Sequence, residues 1–378
     1  MMMLLVAFVV STIASLLLVR SARGRLRFSN DFDLDGPQKF HAVPVPRIGG
    51  LGIVAGASLG LALVDWRLAD GAPPLGLALL ACAVPAFAAG LVEDITKSVS
   101  ARRRLLATAV SAGLAFWLLG AQIRHTDIPG LEWLVSFTPG ALLVTMVAVA
   151  GIANSINIID GFNGLASMCV VIMLAALAYV AFQVSDPVIG SMALAGIGAV
   201  LGFFVWNFPA GLIFLGDGGA YFLGFFVAEL SILLLVRNPA VSPIFPLLVC
   251  IYPVFETLFS IYRRRFLRAA PPGMPDGIHL HSLIYRRVMR WAVGRRSART
   301  LARRNSMTSP YLWGLCMLSV VPAVLFWDFT SLLALSVLLF GVFYVVLYWR
   351  IVRFKSPRWL RFPATRPRPL PRGDNRPT

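Results

Sequence analysis

LVSFTPGALLVTMVAVAGIANSINIIDGFNGLASMCVVIMLAALAYVAFQ, residues 134–183, holds two apolar runs either side of a polar hinge. The runs lie near 134–153 and 165–183, and the hinge runs from Asn154 to Ala166. Each run is close to the ~20 apolar residues that a helix needs to cross the hydrocarbon core of a bilayer. Lipid offers the backbone no hydrogen-bond partners, so spanning runs of this kind are helices. The pattern repeats outward. Similar runs lie near 1–20, 48–65, 74–93, 104–121, 186–206, 217–236, 241–261, 309–326 and 329–349. Composition agrees: 58% of residues are hydrophobic and 13% charged, with a mean hydropathy of +0.78, where a soluble domain carries about a quarter charged residues. The chain reads as an all-α polytopic membrane protein with about eleven transmembrane helices. One integral membrane domain covers 1–350, and a basic, Pro/Arg-rich tail with no expected fold covers 351–378.

Charge sets the orientation. The chain has 34 Lys and Arg, 17 Asp and Glu, and a formal charge of +17. All the basic residues except Arg67, Arg124 and Arg237 follow the first, third, ninth and last spans. Basic loops stay cytoplasmic during insertion. The N-terminus is therefore expected outside, the C-terminus inside, and the number of spans odd. The first run has its arginines after it, the reverse of a cleaved signal peptide, and reads as an uncleaved anchor. Attraction to anionic headgroups and topology account for most of the charge. No soluble nucleic-acid-binding module is visible, so no nucleic-acid partner is expected. Cys82, Cys169, Cys250 and Cys316 all fall inside apolar runs, which points to free thiols.

Every segment with chemical character falls on the cytoplasmic side of this topology. Gly36 to His41 leads into Pro44-Val45-Pro46-Arg47-Ile48-Gly49-Gly50, a rigid turn that presents Lys39, His41 and Arg47 to phosphate, or simply caps a helix. Glu93-Asp94-Ile95-Thr96-Lys97 closes the third span. Adjacent carboxylates at a membrane boundary are costly unless solvated, paired or holding a cation, and Arg102, Arg103 and Arg104 could pair with them. The hinge Asn154 to Ala166 is rich in amide and carboxylate oxygens and has no Lys or Arg. It can supply metal ligands and base-edge hydrogen bonds, while its glycines admit a ligand to the backbone. Phe214-Leu215-Gly216-Asp217-Gly218-Gly219 opens the eighth span. A carboxylate at a helix N-terminus suits a magnesium–phosphate complex, or is an N-cap. Asp276 to Arg287 includes His279 and His281. Histidines two apart do not share a helix face, and without Cys or a third His they suit phosphate better than zinc. Glu229 and Glu256, inside spans, read as polar interior contacts, Glu256 being the more interesting.

These segments, over about 1–350 and in this order, resemble the motifs of the polyprenyl-phosphate N-acetylhexosamine-1-phosphate transferases, or glycosyltransferase 4. Glu93 stands where that family usually has a first Asp, and Ser282 where it has a last His. The second departure is similar to branches that initiate O-antigen or capsule rather than peptidoglycan. The resemblance implies an enzyme of the bacterial inner (plasma) membrane with its active site on the cytoplasmic face. It implies undecaprenyl phosphate and a UDP-N-acetylhexosamine as substrates, UMP release, and Mg2+, or Mn2+ in its place, as cofactor. By position in the family motifs, Asp217 and Asn157 would hold the metal. Asp94, with Glu93, would position or deprotonate the lipid phosphate. Lys97, Arg103, Arg47, His279 and His281 would cradle phosphates. Asn154, Asp160, Asn163 and Phe214 would contact the nucleotide sugar, Phe214 stacking on uracil. Homodimers are common in the family, and these residues do not decide the point. The rivals are a phospho-MurNAc-pentapeptide transferase, a lipid-linked sugar transporter and an inactive scaffold. A transporter would want charges near the midplane and internal repeats; nearly all the acidic and His candidates lie at one interface instead, and no internal repeat is evident.

Overall fold

The computed structural model describes residues 1–24, 45–68, 74–267, 279–289 and 298–353. Lys39, His41, Pro44, Asp276 and most of the tail lie outside them. Among the described residues the chain is helical, with no β-strand beyond a single bridging residue. The helices are α1 (Met2–Gly24), α2 (Gly49–Leu68), α3 (Leu75–Thr96), α4 (Ala101–Leu118), α5 (Leu131–Val135), α6 (Thr138–Ile159) and α7 (Leu165–Gln183). They continue with α8 (Pro187–Asn207), α9 (Gly216–Arg237), α10 (Ile244–Val249), α11 (Ile251–Tyr262), α12 (Leu280–Leu283), α13 (Ala298–Leu325) and α14 (Thr330–Val352).

Among the described residues, nine helices are long and apolar enough to cross a membrane: α1, α2, α3, α6, α7, α8, α9, α13 and α14. The other two expected spans are helical but depart from the simple pattern. The run at 104–121 becomes α4, whose first turn carries Arg102, Arg103 and Arg104. The run at 241–261 divides into α10 and α11 at Cys250. Pro253 explains the break, because it has no N–H to donate and its ring clashes with the carbonyl four residues back.

Helix α9 forms the centre and is buried along most of its length. Helices α3 and α6 flank it, while α1 packs on α8 and α2. Small residues allow the close approaches, as is usual between helices in lipid. A Cβ on Gly56 would lie 2.5 Å from the Ala7 carbonyl oxygen, and one on Gly202 2.5 Å from that of Phe8. The outer faces are apolar. Leu5, Val9, Ile13 and Leu17 recur every fourth residue along α1 and are each at least half exposed. Such a stripe would be unfavourable in water and is at rest against acyl chains. The molecule is a multi-pass membrane protein.

Candidate active site

Ends of α2, α3, α4, α6 and α9 meet at one end of the bundle, around the first turn of α9. Gly216 opens that turn with φ +77, a left-handed conformation that glycine adopts without a Cβ penalty. The strand-like segment before it lies against the segment before α2. The Phe214 N–H donates to the Pro46 carbonyl (2.9 Å), Gly49 N–H to the Phe214 carbonyl (2.9 Å), and Gly50 N–H to the Leu215 carbonyl (3.0 Å). Backbones touch on both sides of α9. A Cβ on Gly50 would lie 2.5 Å from the Gly219 nitrogen, and one on Gly90 2.6 Å from the Gly218 Cα. The glycines around Asp217 thus seat α2 and α3 against α9.

Asp94, in the last turn of α3, is 2% exposed. Its Oδ1 accepts from the Asp217 N–H (2.8 Å) and its Oδ2 from the Gly218 N–H (2.9 Å). It caps α9 from a neighbouring helix, satisfying two donors that the helix itself cannot and setting negative charge at the positive end of the helix dipole. The sequence pointed to this helix end as a phosphate site, but two of its donors are taken by Asp94.

Asp217 then projects into a charged cluster. Its Oδ1 accepts from Asn157 Nδ2 (2.7 Å) and lies 3.8 Å from Arg47 Nη2, while its Oδ2 pairs with Arg104 Nη1. Arg47 Nε also lies 3.9 Å from Asp94 Oδ1. The Arg104 guanidinium stands 5.6 Å from the centre of the Tyr221 ring, and the Tyr221 hydroxyl donates to Asn154 Oδ1 (3.2 Å). Asp160, partly exposed, completes the group. Burial pushes its carboxyl up to about 7, Arg47 opposes this, and the Asp217 and Asp94 carboxylates add to it.

The donor set fits a hard divalent cation. Among the described residues, three carboxylates, Asp94, Asp160 and Asp217, gather around two guanidiniums, Arg47 and Arg104. Among the described residues no three Asp, Glu, His or Cys form a ready-made metal cage. Magnesium takes one or two protein carboxylates and fills its shell with water and substrate phosphate, a demand that Asp217 and Asp160 could meet.

Other expected residues are placed differently. Glu93 turns away from Asp94, its Oε2 accepting from the Val99 N–H (2.6 Å). Lys97 is exposed, with φ 55, at the C-cap of α3. Arg103 is exposed, and of the arginines on α4 it is its neighbour Arg104 that pairs with Asp217. Asn163 is only 3% exposed. Its N–H donates to Asn305 Oδ1 (2.9 Å), its Nδ2 to the Pro209 carbonyl (3.1 Å), and its carbonyl accepts from Ser309 Oγ (2.6 Å). It joins the hinge to α13 and is not brought to Asp217. Phe214 is half-buried beside the segment that holds Pro46. His279 and His281 are buried with parallel rings, 5.1 Å apart at 9°. His279 is extended (φ −59, ψ 152) and His281 lies in α12, so the turn brings both rings to one face. His281 packs edge-on to Phe162 of the hinge at 5.5 Å.

Arg104 was legible in principle. Thr108, Ser111, Ala112 and Ala115, the buried face of α4, follow it at helical spacing, whereas Val110 and Leu114, in phase with Arg103, are exposed.

Residues 76–235 match the model of glycosyl transferase family 4. A probable undecaprenyl-phosphate N-acetylglucosaminyl 1-phosphate transferase of Bacillus subtilis is 31% identical over 287 residues, 74% of this chain and 77% of that protein. A phospho-N-acetylmuramoyl-pentapeptide-transferase of Mycolicibacterium vanbaalenii is 31% identical over 60% of this chain and 74% of its own length. An undecaprenyl-phosphate alpha-N-acetylglucosaminyl 1-phosphate transferase of Thermotoga maritima is 27% identical over 68% of this chain and 75% of its own.

Proposed function

The chain belongs to glycosyl transferase family 4, and from that premise we propose that it transfers N-acetylhexosamine 1-phosphate from a UDP-sugar to undecaprenyl phosphate, releasing UMP. The product would begin a lipid-linked cell-envelope glycan of the O-antigen or capsule type. The distribution of basic residues supports an active site on the cytoplasmic face of the inner membrane. The observation that carries the reading is Asp217, fixed on the first turn of α9 by Asp94 and flanked by Asn157, Arg47 and Arg104.

In this reaction a lipid phosphate oxygen attacks the β-phosphorus of the nucleotide sugar. The bond from that phosphorus to the bridging oxygen breaks, and UMP leaves with the oxygen and its electron pair. A phosphate near neutral pH is already largely ionised, so the step needs positioning and charge compensation more than a base. Asp217 and Asn157, with Asp160 beside them, would hold magnesium, whose chemistry is to offset charge on the pyrophosphate and the leaving UMP. Arg47 and Arg104 would receive phosphate oxygens. Both Asp94 oxygens already accept backbone N–H groups, which supports a positioning role: it fixes the turn that carries Asp217.

The test is UMP release by the detergent-solubilised protein given undecaprenyl phosphate, Mg2+ and separate UDP-N-acetylhexosamines, with an EDTA control. UMP that depends on metal and on both substrates supports the proposal. No UMP from folded protein with any donor refutes it. The second reading, phospho-MurNAc-pentapeptide transfer, is favoured by the relatives of that name. It would show as release only from UDP-MurNAc-pentapeptide.

A further inference from the structure

Glu256, in α11, is 1% exposed and apart from the Asp217 cluster. A carboxylate so deep in a membrane protein needs partners, and this one has several. Its Oε1 accepts from the Leu280 N–H (2.8 Å) and lies 3.3 Å from His279 Nδ1. Its Oε2 accepts from the Tyr344 hydroxyl of α14 (2.7 Å). Leu280 sits between the two histidines, so one carboxylate grips both the backbone of the His279–His281 turn and the ring of its first member.

That grip has a consequence for the second ring. The His279 and His281 rings are parallel and 5.1 Å apart, so an anchor on the first sets the plane of the second. His281 in turn packs against Phe162, and its Nε2 would be 3.6 Å from a Cβ on Gly161. Gly161 and Phe162 directly follow Asp160 in the hinge. A chain of contacts therefore runs from Glu256 through the stacked histidines to the segment that carries Asn157 and Asp160. Two stacked imidazoles would repel if both were protonated, and an adjacent carboxylate offsets that cost.

We propose that Glu256 is a positioning residue that clamps the His279/His281 pair against the Asn154–Asn163 hinge, so that the pair faces the nucleotide-sugar site. The assignment of the pair to substrate phosphate rests on the function proposed above; the clamp itself does not.

The test uses the full-length protein in detergent with Glu256→Gln and Glu256→Asp. Histidine carbethoxylation by diethyl pyrocarbonate is followed by mass spectrometry, with the exposed His125 as internal reference. In parallel, KM and kcat are measured for UDP-N-acetylglucosamine, and thermal melting is recorded. Glutamine can keep its carbonyl oxygen on the Leu280 N–H and donate its NH2 to the Tyr344 hydroxyl, but it carries no charge for His279. With Glu256→Gln, His279 and His281 should become about tenfold more reactive relative to His125, since the charge that lies 3.3 Å from the His279 ring is removed. KM should rise about tenfold with a smaller change in kcat, and Glu256→Asp should recover most of both. Histidines as protected in Glu256→Gln as in the wild type would overturn the clamp. So would a loss of kcat and melting temperature with KM and the reactivity ratio unchanged, which is general destabilisation. Increased reactivity with an unaltered KM would keep the clamp but overturn its link to the nucleotide sugar. Absence of UMP release by the wild type refutes the proposed function, and the reactivity ratio still decides the clamp.

Discussion

Replacing Gly50 with alanine should damage the site without altering a single charged group. The added Cβ would lie 2.5 Å from the Gly219 nitrogen and 2.6 Å from its Cα, both backbone atoms that cannot rotate away. Restoring that contact to the 3.4 Å of ordinary packing moves α2 and α9 apart by about 0.9 Å. Overpacking of this kind costs ~1–3 kcal/mol. The larger effect is on geometry, because Gly50 and Gly49 are hydrogen-bonded to the segment leading into Asp217. Misplacing catalytic groups by ~1 Å costs on the order of 10²-fold in rate. Gly113→Ala is the matched control: it lies in α4 with nothing within 4 Å of its Cβ position, and alanine is better in a helix by ~1 kcal/mol. UMP release and melting temperature of both variants, in the same detergent, make the assay. Gly50→Ala should lose most activity and some stability, while Gly113→Ala should keep activity and melt no lower. Wild-type activity in Gly50→Ala would refute the claim that backbone contact between α2 and α9 positions Asp217.

Three further outcomes are expected. Asp217→Asn should cut UMP release by at least about 10²-fold and weaken Mn2+ binding followed by electron paramagnetic resonance; unchanged Mn2+ affinity would remove Asp217 from the metal. Arg104→Gln should lose activity, with Arg104→Lys recovering little because lysine lacks the planar fork, while Arg103→Gln should stay near wild type; equal losses at 103 and 104 would contradict the assignment of α4's inner face. At the other end of the bundle, His125 contacts Glu132 (2.5 Å) and Asp127 (2.7 Å). The Glu132 hydrogen bond raises the His125 pKa above 6.5, burial opposes it, and the two carboxylate charges add to the rise; the same bond holds Glu132 down to about 2. A raised histidine pKa gives stability that is whole below 6.5 and lost as pH rises through the raised value, while the lowered Glu132 gives stability whole above 4.5 and lost as pH falls toward 2. Wild-type melting temperature should therefore fall faster than that of His125→Gln as pH rises above 6.5, and parallel curves would count against the pair.

The spans were legible because apolar length is a local property. The run at 134–153 became part of α6 and that at 165–183 became α7, with limits moved by a few residues. The division at Cys250 was less visible, since hydropathy does not register that Pro253 interrupts the hydrogen-bond ladder. In the site, the polar segments were easy to find, but which side chain does what depends on helix phase. Arg103 and Arg104 are adjacent in sequence and about 100° apart around a helix, so only the burial of Thr108 and Ser111 separates them. Asn163 looked like a ligand residue in the hinge, and its partners Asn305, Pro209 and Ser309 are too distant in sequence to be foreseen. Glu256 has the same history. Its partners lie 24 and 88 residues away, and from sequence alone it was one carboxylate in an apolar run.

The central claim is that a phosphosugar, not a sugar, moves onto the lipid. UDP-N-acetylglucosamine, and then other UDP-N-acetylhexosamines, labelled with 32P at the β-phosphate would decide it in one extraction. After incubation with undecaprenyl phosphate and Mg2+, the label should appear in the lipid fraction, with unlabelled UMP released in equal amount. Label retained in UDP while the sugar enters the lipid, or no transfer from any donor by folded protein, would contradict it.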